Sequence, residues 1–199
     1  MAKEYPDLTI IDACEGLALL DDNAHAWMDP ELYTGQVTNI AEGLAKADPS
    51  HKEIYKENGR DYGARIHSLE HAFLDLRTEV EGEPVIIFHE AYAYVAHALG
   101  MEVVGVMDLD EERQISAGEV AGLLDLVKQQ GVTYIFAERL YGEQMGTAME
   151  AESEAQALYL SPLNRGSYDP DDYLTGMEEN LKILREAFLE DSKSREGGA

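Results

Sequence analysis

Residue types that bind divalent transition metals follow three of the apolar runs in this sequence. Val85-Ile86-Ile87-Phe88 leads into His89-Glu90, the run ending at Phe136-Ala137 leads into Glu138, and Ala157 to Leu160 leads on to Asp169-Pro170-Asp171-Asp172. Imidazole and carboxylate are the donors from which zinc and its neighbours in the first transition row build sites. In open parallel sheets ligands bind at the carboxyl ends of the strands, so position and chemistry agree. The plainer reading is that loops carry polar residues anyway. His25 lies in Asn23-Ala24-His25-Ala26-Trp27-Met28-Asp29-Pro30, just ahead of a helix start, where a lone histidine is more often only solvated. His67-Ser68-Leu69-Glu70-His71 spells the H-x-x-E-H order of inverted zinc peptidases. It falls in mid-helix, where residues four apart share a face. Peptidase chemistry would also need a third ligand and a cleft, so a solvated face with adventitious zinc is the expectation there. His97 reads as helix surface, and Trp27 as packing.

The elements that must position these groups follow from periodicity. Leu8 to Ile11 is a short β-like run. Asp29-Pro30-Glu31 is a helix start, with Asp at the N-cap and Pro in the first turn, and Asp48-Pro49 ends that helix. Ser50 to Glu53 has capping-box spacing. Behind it Tyr62, Ile66, Leu69, Phe73, Leu76 and Val80 alternate by four and three, one apolar stripe on a helix from about His51 to Val80. At 1.5 Å per residue that helix is about 45 Å long, enough to join two lobes as a spine. From Pro84 strands alternate with helices: strands at 85–88, 103–106, 132–136 and 157–160, helices at 91–99, 117–130, 142–151 and 173–189. That order predicts a four-stranded parallel α/β sheet covered by helices on both faces. The domain reading is a strand-plus-helix segment at 1–48, a connecting helix at 49–82, an α/β lobe at 83–191 and a disordered tail at 192–199.

Composition narrows the classes of function. Forty acidic against 15 basic residues give a formal net charge of −25 over 199 residues. Such a chain repels phosphate backbones and anionic lipid, which argues against nucleic-acid and membrane-surface roles. Cys14 is the only cysteine, so neither an intrachain disulfide nor a cysteine-cluster zinc site can form. No run of about 18 apolar residues is present, and Met1 to Tyr5 lacks the apolar core of a signal peptide.

Several segments, taken in order, resemble one family. His25-Ala26-Trp27-Met28-Asp29-Pro30 resembles the HxWLDP segment of the zinc and manganese substrate-binding proteins of ABC importers, the ZnuA/TroA-like family. Phe88-His89-Glu90-Ala91-Tyr92-Ala93-Tyr94 resembles its FHDAYGY segment. Ser116 to Glu119, Ile135 to Glu138, Leu160 to Leu163 and Tyr173 to Leu181 match later segments with spacing preserved. The resemblance implies two α/β lobes on a long helix with the metal, Zn2+ or alternatively Mn2+, held between them. It implies His25, His89 and Asp171 as metal ligands, with Asp169 and Asp172 as competitors for the last place, and Glu138 as a group orienting a ligand. It further implies a non-enzymatic solute receptor outside the cytoplasm that hands metal to an ABC membrane subunit. The family's first histidine lies upstream of anything in this sequence, so the expectation is an incomplete, three-ligand site. The 1–48 segment would then expose apolar surface and favour a homodimer. Two other classes compete: a zinc hydrolase, and an interaction or adhesion module that binds no metal.

Overall fold

The computed structural model describes residues 8–21, 23–107, 109 and 115–196, the last seven by their backbone. Asp29 opens the first long helix, α1 (Pro30–Ala47), by accepting from the amides of Glu31 and Leu32. A single 3-10 turn at Pro49–His51 separates it from α2 (Lys52–Val80), 29 residues without a break. The expected stripe is the buried face: Ile66, Leu69, Phe73, Leu76 and Val80 are all inside.

The α/β unit then follows as β1 (Pro84–Ile87), α3 (Tyr92–Leu99), β2 (Glu102–Val106), α4 (Ala117–Gln130), β3 (Tyr134–Ala137), α5 (Arg139–Glu152), β4 (Gln156–Tyr159) and α6 (Asp172–Glu196). All strand pairs are parallel, in the order β2-β1-β3-β4. Helices α3 and α4 both stop on a glycine in the left-handed region, Gly100 at φ 64° and Gly131 at φ 67°, a conformation that side chains with a Cβ avoid. Each stop turns the chain back into the next strand. Alternation along the strands sorts the core into two layers. Val85, Ile87, Tyr134 and Phe136 pack with α2, α3 and α6 on one face. Ile86, Phe88, Ile135 and Ala137 pack with Leu123, Val127 and Met149 of α4 and α5 on the other.

Three expectations are corrected. Residues 8–11 form no strand; among the described residues no strand pairs with them, and an isolated strand leaves its backbone groups unbonded. The capping box at Ser50 is not made: Ser50 donates instead to Asp48, and the 3-10 turn shifts the cap position to His51. Helix α6 continues through 192–196, where a tail was expected; residues 197–199 lie outside the described set. No helix among the described residues is long and apolar enough to cross a membrane.

Candidate metal centre

The chain leaves β1 for β2 on one side and returns past β1 to β3 on the other, so the sheet changes direction between β1 and β3. At such a switch point the carboxyl ends of the two strands are the place where parallel α/β sheets open a ligand crevice. His89 and Glu90 come just after β1, and Glu138 directly follows β3. Sequence order alone therefore sets imidazole and carboxylate at the mouth of the crevice.

His25 arrives from outside the sheet, on a segment tied down by hydrogen bonds. The Tyr94 hydroxyl accepts from the Leu20 amide at 3.1 Å and donates to the Asn23 carbonyl at 2.8 Å. Asn23 Nδ2 donates to the Glu90 carbonyl at 2.8 Å. Trp27 Nε1 donates to the Pro162 carbonyl at 3.0 Å, and the Tyr173 hydroxyl donates to the Trp27 carbonyl at 2.9 Å. Trp27, read from sequence as packing, is thus also a strut to the far end of the sheet.

The His25 ring is 20% exposed, and its centroid is 5.0 Å from that of His89 in an edge-to-face arrangement. His25 Nδ1 lies 2.9 Å from Asn23 Oδ1 and 3.3 Å from Glu90 Oε1. Both neighbours are acceptors, because the Asn23 amide nitrogen is already committed to the Glu90 carbonyl. A neutral ring donating to either of them carries its proton on Nδ1 and its electron pair on Nε2. Carboxylate or carbonyl partners of this kind set the tautomer of metal-binding histidines. His89 is arranged differently: its Nδ1 accepts from the Ala91 amide at 3.0 Å. A neutral ring making that bond carries its proton on Nε2, so ligation by either nitrogen requires His89 to leave the Ala91 amide.

The acidic loop before α6 separates its three carboxylates. Asp172 accepts from the Ser167 amide and hydroxyl and from the Asp169 amide, which hold its carboxyl below the usual range. Asp169 accepts from the Asp171 amide at 2.8 Å. These bonds shape the loop. Asp171 instead points across to the spine, where its Oδ1 lies 2.7 Å from Arg65 Nη2, both side chains about half exposed. Glu138 occupies the N-cap position of α5. Tyr92, buried and donating to the Leu160 carbonyl, has its hydroxyl pKa raised first by burial and then by the Glu138 charge. The Tyr92 ring is 6.1 Å from that of His89.

The structure thus brings His25, His89 and Glu90 together and holds Asp171 apart on Arg65. Among the described residues no three histidine, cysteine or acidic side chains converge closely enough to hold a metal. Sequence reading missed Asn23 and Arg65 and gave Glu90 no separate role. His97 is exposed on its helix, as read, but it also has a partner that the sequence did not show: its Nδ1 is 2.9 Å from Asp29 Oδ2, a carboxylate only 5% exposed. Asn23, two residues before His25, is the one legible signal, since Asn side chains bond the backbone two residues on.

The profile of the family described as "Zinc-uptake complex component A periplasmic" matches residues 2–187. The chain belongs to that family. Among curated relatives of this zinc-uptake family member, the high-affinity zinc uptake system protein ZnuA of Bacillus subtilis is 27% identical over 169 residues, covering 83% of this chain and 53% of its own length. ZnuA of Brucella abortus is 27% identical over 157 residues, covering 79% and 47%. The chain spans about half the length of these curated relatives. Among solved structures, FpvC of Pseudomonas aeruginosa in complex with Ni2+ superposes with a TM-score of 0.81 at 26% identity, covering 94% of this chain and 70% of that one. The laminin-binding protein of Streptococcus agalactiae, described as bifunctional with adhesin and metal-transporting activity, gives 0.74 at 25% identity, covering 89% and 70%. The fold and family implied by the ordered motifs are therefore the ones found.

Proposed function

We propose that this chain captures a divalent transition metal, zinc in first place and manganese as the alternative, as the substrate-binding component of an ABC importer working outside the cytoplasm. The observation that carries this reading is the edge-to-face pair of His25 and His89, with His25 locked by Asn23 and Glu90 into the tautomer that ligates through Nε2. The metal is cargo. Its ligands are His25, His89 and Asp171, the last drawn away from Arg65, with Glu138 acting through Tyr92 and the crevice wall. Three protein donors leave one tetrahedral position to water, a buffer anion or a second chain. The chain is a receptor, not a catalyst, and its macromolecular partner is the membrane subunit of the importer. Calorimetric titration tests this. Zn2+ should bind once at the crevice and more tightly than Mn2+, as the order of divalent affinities requires. The absence of heat with millimolar Zn2+ would overturn the proposal.

The likeness to a protein described as both adhesin and metal transporter supports a second reading, an adhesive surface on the same fold. Binding to immobilised laminin that persists in chelator would favour it over metal capture.

A further inference from the structure

The H-x-x-E-H segment on α2 is not absorbed by the crevice. Its two histidines meet: His71 Nε2 lies 3.0 Å from His67 Nε2, with ring centroids 4.4 Å apart. His67 Nδ1 is 2.6 Å from Glu70 Oε2. The other oxygen, Glu70 Oε1, accepts from the Thr34 hydroxyl on α1 at 2.6 Å. Glu70 is 15% exposed while His67 is 61% exposed, so the carboxylate is built into the α1–α2 seam and the imidazoles stand in solvent.

The protons follow from these contacts. Glu70 accepts from His67 Nδ1–H, which leaves the electron pair of His67 on Nε2. That pair receives Nε2–H from His71. A carboxylate–histidine relay of this form is how proteins orient an imidazole ligand and raise its basicity. The two Nε2 atoms already face one another from a continuous helix, so a cation can take both Nε2 electron pairs without any change of backbone once His71 carries its proton on Nδ1 instead of Nε2. Nitrogen donors favour the borderline cations Zn2+, Ni2+ and Cu2+ over Mg2+ or Ca2+. The net charge of −25 raises the local concentration of any cation.

The geometry points to His67 and His71 as a second, two-imidazole site for a divalent transition metal on the spine helix, with Glu70 as its positioning residue and water completing the coordination. Two features keep it apart from the crevice. His67 is two residues on from Arg65, about 200° round the helix at 3.6 residues per turn, whereas Arg65 reaches Asp171. With two protein donors it must also be the weaker site. It is no peptidase centre, because Glu70 faces His67 Nδ1 rather than the two Nε2 atoms, and among the described residues no group of three His, Cys, Asp or Glu side chains is placed to hold a metal.

Calorimetric titration of the full chain with Zn2+ tests the site, with circular dichroism confirming that each variant is folded. Wild type should show two binding events. The double variant His67→Ala/His71→Ala should lose the weaker event and keep the tighter one. Glu70→Gln should weaken that same event roughly ten- to a hundredfold, the usual effect of removing an outer carboxylate. His89→Ala should spare it, so failure of the crevice site and failure of the spine site are told apart. A wild-type titration with one event only, or a weaker event unchanged in the double variant, would overturn the assignment.

Discussion

Asp29 and His97 tie together the two segments that carry the candidate ligand histidines. Asp29 follows the His25 segment and caps α1, His97 lies on α3 just beyond His89, and their side chains meet at 2.9 Å. Asp29 thus works twice: Oδ1 accepts from the amides of Glu31 and Leu32, and Oδ2 faces the imidazole. Asp29→Ala should lower stability by about 1 kcal/mol or somewhat more, the usual loss for an N-cap, and should loosen His25 against His89. His97→Ala should have the smaller effect, because the cap survives. Chemical denaturation of both variants checks the order; equal losses would mean that the cap contributes nothing.

Arg65 competes for Asp171. An ion pair this exposed is worth at most about 1 kcal/mol, so a metal can take the carboxylate from it. Arg65→Ala should therefore tighten Zn2+ binding at the crevice a few-fold, by freeing Asp171 and removing a nearby positive charge, and Asp171→Asn should weaken it at least tenfold. Titrations of both variants decide the matter. If Arg65→Ala leaves affinity unchanged while Asp171→Asn also has no effect, Asp171 is not a ligand.

Tyr33, Tyr92 and Tyr173 should make the fold sensitive to alkali. Burial first, and then neighbouring Tyr62, push the Tyr33 hydroxyl up to about 12. Burial pushes Tyr92 and Tyr173 upward too, aided at Tyr173 by the charge of Tyr33. Above pH 10.0, the reference value for these hydroxyls, the unfolded chain loses protons that the folded chain keeps. Stability supplied by these groups is thus fully present below pH 10.0 and lost as pH rises towards 12. In a titration followed at 295 nm, some of the 11 tyrosines should ionise only together with loss of the circular dichroism signal. A single wave of all of them near pH 10, with the fold intact, would refute this.

Much of the fold was legible because it rests on local signals. The four-three stripe from Tyr62 to Val80 and the stops at Gly100 and Gly131 fix helices through neighbouring residues, and the structure keeps them. The strand at residues 8–11 failed for the opposite reason, since a strand exists only if something pairs with it. The site divides along the same line. His89 and Glu138 could be read as strand ends, whereas Arg65 on Asp171, His97 on Asp29 and His71 on His67 depend on how elements or side chains meet. Asp172 and Asp169 accept bonds within their own loop whereas Asp171 pairs with Arg65, a difference that spacing alone did not show.

Apolar side chains remain uncovered near the start of the described chain. Ile40 and Leu44 stand one turn apart on α1, and Ile10 and Ile54 are more than half exposed. Apolar side chains left exposed to water favour association where they meet, so sedimentation should show a concentration-dependent dimer. Ile40→Glu/Leu44→Glu should shift it to monomer. Monomeric wild type at high protein concentration would count against the expectation.

The most direct test of metal capture at the crevice is histidine-detected NMR during addition of Zn2+. The ring nitrogens of His25 and His89 should shift together and saturate at one equivalent, with His89 leaving its bond to the Ala91 amide, while His51 and His97 stay unmoved. Response of His67 and His71 in the first equivalent, with His25 and His89 silent, would contradict the account.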